Sequence, residues 1–374
     1  MYSRLNDLKT HLSADGKVLD LSKSGKPIDD YDVTHLVKWL AENPNVTTLL
    51  ASNNHITVDG AKLIAANTTL TTLHIDKNKI TDTDSFAALT LFASNTKLTE
   101  LQIGNDSFSK EDHQRFGYPD IKPDQNTPKN NHLKKLTITG TISKYPKGDE
   151  KYLFDFTGIE ELSIKQHTIS SANDPNPING MLFVRQLGQR FKLTKLELSN
   201  VEYRYLSSVK EHNSFSHLQE LRLTGGSNLS GLPQFLSDLP NPQQLTVLEL
   251  DCFELYQDLI SVINEKCTQL RKLHFLSLKY PVYIGELAKL AQNNSIVDIK
   301  LPKQAPEACV KSVFDKIAEN QKKHGVKVTN PLPQYLNFTL MPPVYKPVPS
   351  SAVALTEKEN TVKRMKRSLS NLNF

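Results

Sequence analysis

LTTLHIDKN, running from Leu70 to Asn78, sets leucine or isoleucine at its first, fourth and sixth positions and asparagine at its ninth. The same apolar spacing recurs in LTELQI from Leu98 to Ile103 and in LKKLTI from Leu133 to Ile138. Downstream follow IEELSI from Ile159, LTKLEL from Leu193, LQELRL from Leu218, LTVLEL from Leu245, LRKLHF from Leu270 and IVDIKL from Ile296. Upstream lie VTTLLA from Val46 and a weaker KVLDL around Leu19 and Leu21. Short alternating runs of this kind are strands with one buried face, so the sequence predicts eleven strands.

The central residue of the first copy is Leu19 and that of the last is Ile299, so ten intervals span 280 residues with a mean period of 28. Between the strands, apolar residues recur at helical spacing. Val33, Leu36, Val37 and Leu40 form one such set, then Ala61, Leu63 and Ile64, then Phe86, Leu89 and Phe92. The C-terminal half adds Leu259, Ile260 and Ile263, then Leu287 and Leu290, then Val310, Val313, Phe314 and Ile317. Trp39 falls within the first set and reads as packing. A lone strand and helix cannot bury their shared apolar face, whereas stacked copies bury a continuous core.

Period and template resemble those of ribonuclease-inhibitor-like leucine-rich repeats over roughly residues 15–325. Asn54, Asn78 and Asp106 match the family's ninth position, while His167 and Val201 depart from it, which predicts a partial asparagine ladder. The resemblance implies an α/β fold, a horseshoe solenoid with a parallel sheet on its concave side and a mostly helical convex side. Residues 1–17 would be an N-terminal cap, 18–325 the solenoid, and 326–374 a proline-rich linker and basic tail. Two intervals are long, 35 residues from Leu101 to Leu136 and 34 from Leu162 to Leu196. They hold the polar, proline-punctuated runs Phe116 to Asn131 and Ser171 to Gly180, both read as surface insertions.

Composition narrows the function. The 45 Lys and Arg stand against 40 Asp and Glu, spread along all 374 residues, whereas a nucleic-acid binder would cluster its cations. Cys252, Cys267 and Cys309 are odd in number and far apart, which argues for buried thiols in a reducing compartment over a disulfide framework. Met1 to Gly16 has no apolar run like that of a cleaved signal peptide, and no stretch approaches 18 apolar residues. GxxxxGK[ST], HExxH, GxSxG and GxGxxG are absent, so the reading is a binding protein, with no enzyme activity, cofactor or metal expected.

Beyond Gly325 come Pro331, Pro333, Pro342, Pro343, Pro347 and Pro349, then the basic group Lys363, Arg364, Lys366 and Arg367. Glu357 and Glu359, with Leu372 near the terminus, resemble the uncleaved C-terminal signal of Dot/Icm type IV secreted bacterial effectors. That resemblance implies a host protein as partner and the host cytosol as working location. The alternative is a membrane- or nucleus-targeted scaffold that uses the basic tail.

If the strands are parallel and in register, template positions line up across the exposed face. The third position then runs Thr72, Glu100, Lys135, Glu161, Lys195, Glu220, Val247, Lys272 and Asp298, an almost alternating ladder of charge. The fifth carries His74, Gln102, Glu197, Arg222, Glu249 and His274. Tyr203, Tyr205, Phe253 and Tyr256 follow the strand ends and would form an aromatic rim. Mixed charge with aromatics suits a protein partner, so these ten residues are the candidate binding set of a chain expected to act as a monomer, with no nucleic-acid partner.

Overall fold

The computed structural model describes residues 8–80, 92, 95–105, 131–140, 158–166, 192–199, 215–225, 231–251, 258–277, 284–301 and 307–327. The chain divides into two units, Met1–Leu332 and Pro333–Phe374. The second unit, the greater part of both insertions and the residues Asp106, His167 and Val201 lie outside the described residues.

All eleven expected strands are present. They are β1 (Val18–Asp20), β2 (Thr48–Leu50), β3 (Thr72–His74), β4 (Glu100–Asn105), β5 (Lys135–Gly140), β6 (Glu161–Gln166), β7 (Lys195–Ser199), β8 (Glu220–Thr224), β9 (Val247–Asp251), β10 (Lys272–Ser277) and β11 (Asp298–Lys300). They form one open sheet in chain order, and every neighbouring pair is parallel. The register aligns the central apolar residue of each copy from Leu19 through Leu49, Leu73 and Leu101 to Ile299. Those residues and the sixth-position Leu or Ile are buried, while the third and fifth positions alternate with them and point to the other face.

Helices cover the buried face, all but one of them where the apolar spacing predicted them; the exception is Leu232–Asp238, which no such set marked. They are α1 (Asp30–Glu42), α2 (Val58–Ala65), α3 (Leu232–Asp238), α4 (Leu259–Lys266), α5 (Ile284–Ala288) and α6 (Glu307–Lys323). In α1 the start is fixed by a capping box: Asp29 accepts from the backbone N–H groups of Tyr31 and Asp32, and the Asp32 carboxylate accepts from Asp29 N–H. Val33, Leu36 and Leu40 then face the core, and Trp39 is half-buried. In α2, Ala61 and Ile64 are buried but Leu63 is exposed, one residue off the buried stripe. Phe86 and Leu89 lie outside the described residues; Phe92 is buried.

Two sets of asparagines replace missing backbone partners. After β2 and β3, Asn53 and Lys77 take φ of 62° and 58° and turn the chain sharply. The next residue of each turn fills the gap in the backbone bonding. Asn54 Oδ1 accepts from Ile28 N–H at 2.8 Å and its Nδ2 donates to Ala51 O at 3.0 Å. Asn78 Oδ1 accepts from Ile56 N–H at 3.0 Å and its Nδ2 donates to Ala51 O at 2.8 Å and Ile75 O at 3.0 Å. A second set stands three residues before the first template leucine. Asn67 accepts from Leu70 N–H, Asn95 from Leu98 N–H and Asn293 from Ile296 N–H, and Asn95 Nδ2 reaches back to Asn67 O at 2.9 Å. All of these amides are buried, and the side-chain oxygen of each accepts from a backbone N–H.

Both edges of the sheet are occupied. Leu12 bridges Leu19 in antiparallel sense, and Ser13 N–H donates to Val18 O at 2.8 Å. At the other end Gln321 of α6 donates to Val297 O at 2.7 Å and Asn320 to Ile296 O at 2.9 Å, in place of a further strand.

Candidate functional site

The outward sheet face changes character along the array. Over β1 to β3 its third position holds Val18, Thr48 and Thr72, which are neutral. From β4 onward nearly every strand contributes a charge there. Lys135 Nζ lies 2.7 Å from Glu100, and Lys195 sits between Glu161 at 3.9 Å and Glu220 at 3.6 Å, so the lateral ladder expected from the sequence is built in part, with no ion pair joining Lys135 to Glu161.

At β9 the ladder breaks, because Val247 stands where a carboxylate would be. Lys272 therefore crosses to the fifth position and pairs with Glu249 at 2.7 Å. Glu249 also meets Arg222 Nε at 3.2 Å, and Arg222 Nη2 bonds Glu220 at 3.3 Å. Burial would raise the Glu249 carboxyl, but the Lys272 hydrogen bond and the charges of Arg222, Lys272 and His274 outweigh it and hold the group below the usual carboxylate range. Glu100 is depressed in the same way: burial pushes it up, and bonds from Lys135 and His74 more than reverse that.

The structure places the candidate residues as follows. His74 Nε2 lies 3.2 Å from Glu100, and Gln102 is half-buried beside it in register. Glu197 accepts from Ser163 Oγ at 3.1 Å and meets Lys165 at 3.4 Å. Glu197, Arg222, Glu249 and His274 stand on four successive strands in direct register. His274, expected at the surface, is instead only 4% exposed, wedged between Glu249 at 3.5 Å and Asp298 at 3.1 Å. Its Nε2 and Arg222 Nε approach their carboxylates at ion-pair distance but off the hydrogen-bond line. Tyr203, Tyr205, Phe253 and Tyr256 lie outside the described residues.

Sequence reading passed over Lys165, Lys272 and Asp298 as site members, although the gap at Val247 was a signal that Lys272 would need another partner. Beside β10 the register shifts between Phe275 and Ser277, and the intervening Leu276 is 49% exposed, an apolar spot on a charged face. Cys267 is buried and its thiol is pushed up to about 12 by desolvation, which denies it a nucleophile's thiolate.

Eleven parallel strands in chain order, a 28-residue spacing and bridging ninth-position asparagines identify the architecture. The fold is a leucine-rich-repeat solenoid. No family profile matches the chain, and no curated protein matches it. Among solved structures it is similar to an internalin from Listeria monocytogenes, at 17% identity over 73% of each chain and a TM-score of 0.42. Solenoids of this kind offer an extended face as a scaffold for binding, and here that face is a pre-paired array of both charge signs.

Proposed function

We propose that the solenoid is a non-catalytic protein-binding module that engages its partner through the outward face of β7 to β11, centred on Glu197, Arg222 and Glu249, with the buried His274 holding Glu249 and Asp298 in place. The observation that carries the reading is the network joining Arg222, Glu249, Lys272, His274 and Asp298 across four adjacent strands. Charges held in place by their neighbours lose little side-chain entropy on binding and discriminate partners by sign and position. The tail pattern at Glu357, Glu359 and Leu372 supports an extension of this reading: a secreted bacterial effector, acting as a monomer on a host protein in the host cytosol.

The test is capture from a eukaryotic lysate on the full chain, beside a variant with Glu197, Arg222 and Glu249 reversed in charge and shown by circular dichroism to fold alike. A protein retained by the parent and lost by the variant supports the reading. Equal retention removes this face as the binding surface.

A further inference from the structure

A second surface lies at the starts of the middle strands. Immediately before the first leucine of each copy, β4 to β8 are preceded by Lys97, His132, Gly158, Lys192 and His217, and the four side chains other than glycine are exposed. One residue beyond that leucine, Lys134 adds a third exposed amine. The strand starts are locked in spacing by carbonyls that each accept twice. Thr99 O takes Lys134 and Lys135 N–H, Lys134 O takes Glu160 and Glu161, Glu160 O takes Thr194 and Lys195, and Thr194 O takes Gln219 and Glu220. Five strands at about 4.8 Å spacing set these groups in single file over about 19 Å.

The row is cationic and incompletely paired. Glu160 is its one carboxylate and binds Lys134 at 2.8 Å. The carboxylates one position further along, Glu100, Glu161 and Glu220, are engaged by Lys135 and Lys195. Among the described residues, Lys97 and Lys192 have no carboxylate partner. Gly158 lies between them, pressed so close to Asn131 O that an added Cβ would stand 2.2 Å from it, so the row carries a notch with no side chain, flanked by His132 and Lys192.

We propose that this rim binds an extended acidic peptide segment of a protein partner, independently of the outward sheet face. About six extended residues cover the same 19 Å. The neighbouring Thr99, Thr194 and Gln219 add neutral hydrogen-bonding groups to the file. Three amines offset by one carboxylate give too modest a charge density to hold a nucleic-acid backbone.

The test uses the full chain with Lys363, Arg364, Lys366 and Arg367 changed to Gln, so that the tail cannot compete for the probe, a fluorescein-labelled ten-residue glutamate peptide read by anisotropy. Lys97→Glu with Lys192→Glu is expected to weaken binding about tenfold, the scale of two reversed surface charges. Lys322→Glu with Lys323→Glu, exposed on α6, is expected to leave it within about twofold. Equal weakening by both variants, or no binding by the parent, overturns the proposal. So does tighter binding of a thymidine oligonucleotide or of phosphatidylserine vesicles with the same dependence on Lys97 and Lys192, which would assign the rim to a nucleic acid or a membrane.

Discussion

Asn54 and Asn78 donate to one and the same carbonyl, that of Ala51, at 3.0 and 2.8 Å. The two residues occupy one template position in successive copies, so a single acceptor ties two turns of the chain together.

Replacing Asn78 with Ala removes the partners of Ile56 N–H and Ile75 O at a site that is 1% exposed. Stranding buried backbone groups costs about 1–3 kcal/mol each, so the expected loss is about 3 kcal/mol, read as a lower urea midpoint at unchanged m-value. A loss below about 0.5 kcal/mol would show that water replaces the amide.

Gly104 takes φ of 154°, and an added Cβ would stand 1.9 Å from Thr139 O on the next strand. Gly104→Ala therefore forces β4 and β5 apart at the fifth of their six paired positions. The expected cost is about 2–4 kcal/mol, measured as a drop in melting temperature, and wild-type melting would contradict the close approach.

Glu249 has a lower carboxyl pKa folded than unfolded. Its contribution to stability is thus complete above the unfolded value near 4.5 and fades as pH falls through the folded one. Glu249→Gln should lower the urea midpoint at pH 7, and the gap between variant and parent should narrow as the pH falls below 4.5. A difference that persists unchanged at pH 3 would assign the loss to packing.

Cys267 should resist alkylation in the folded protein. With its thiol near 12, about one molecule in ten thousand carries a thiolate at pH 8, and the sulfur is buried as well. Peptide mapping after iodoacetamide treatment should find Cys267 unmodified until urea unfolds the chain, and rapid labelling without urea would contradict its burial.

The strand register was legible in the sequence because side-chain alternation in a strand has a period of two and the buried leucines admit no slip. Taking Leu196, Leu221 and Leu248 as equivalents was enough to align Glu197 with Arg222 and Arg222 with Glu249. Register says which residues are neighbours and not which neighbour a side chain chooses. Lys272 had Val247 and Asp298 beside it in its own row and turned to Glu249, and that choice depends on side-chain reach. His274 reads as a surface residue by position yet is sealed between two carboxylates. Asn67, Asn95 and Asn293 recur three residues before the template and outside it, and their role as helix-to-strand braces emerges only from the backbone they bond.

The fittings at the two ends fix how far the array extends. A stack of like units has no intrinsic stopping point, since any last strand could template another. Here Leu12 and Ser13 block one direction of growth, and Asn320 and Gln321 the other. The span of the outward face is therefore a set length. Enlarging it by evolution or by engineering means inserting whole copies between the end pieces, because appending one beyond either would first require removing the piece that terminates it.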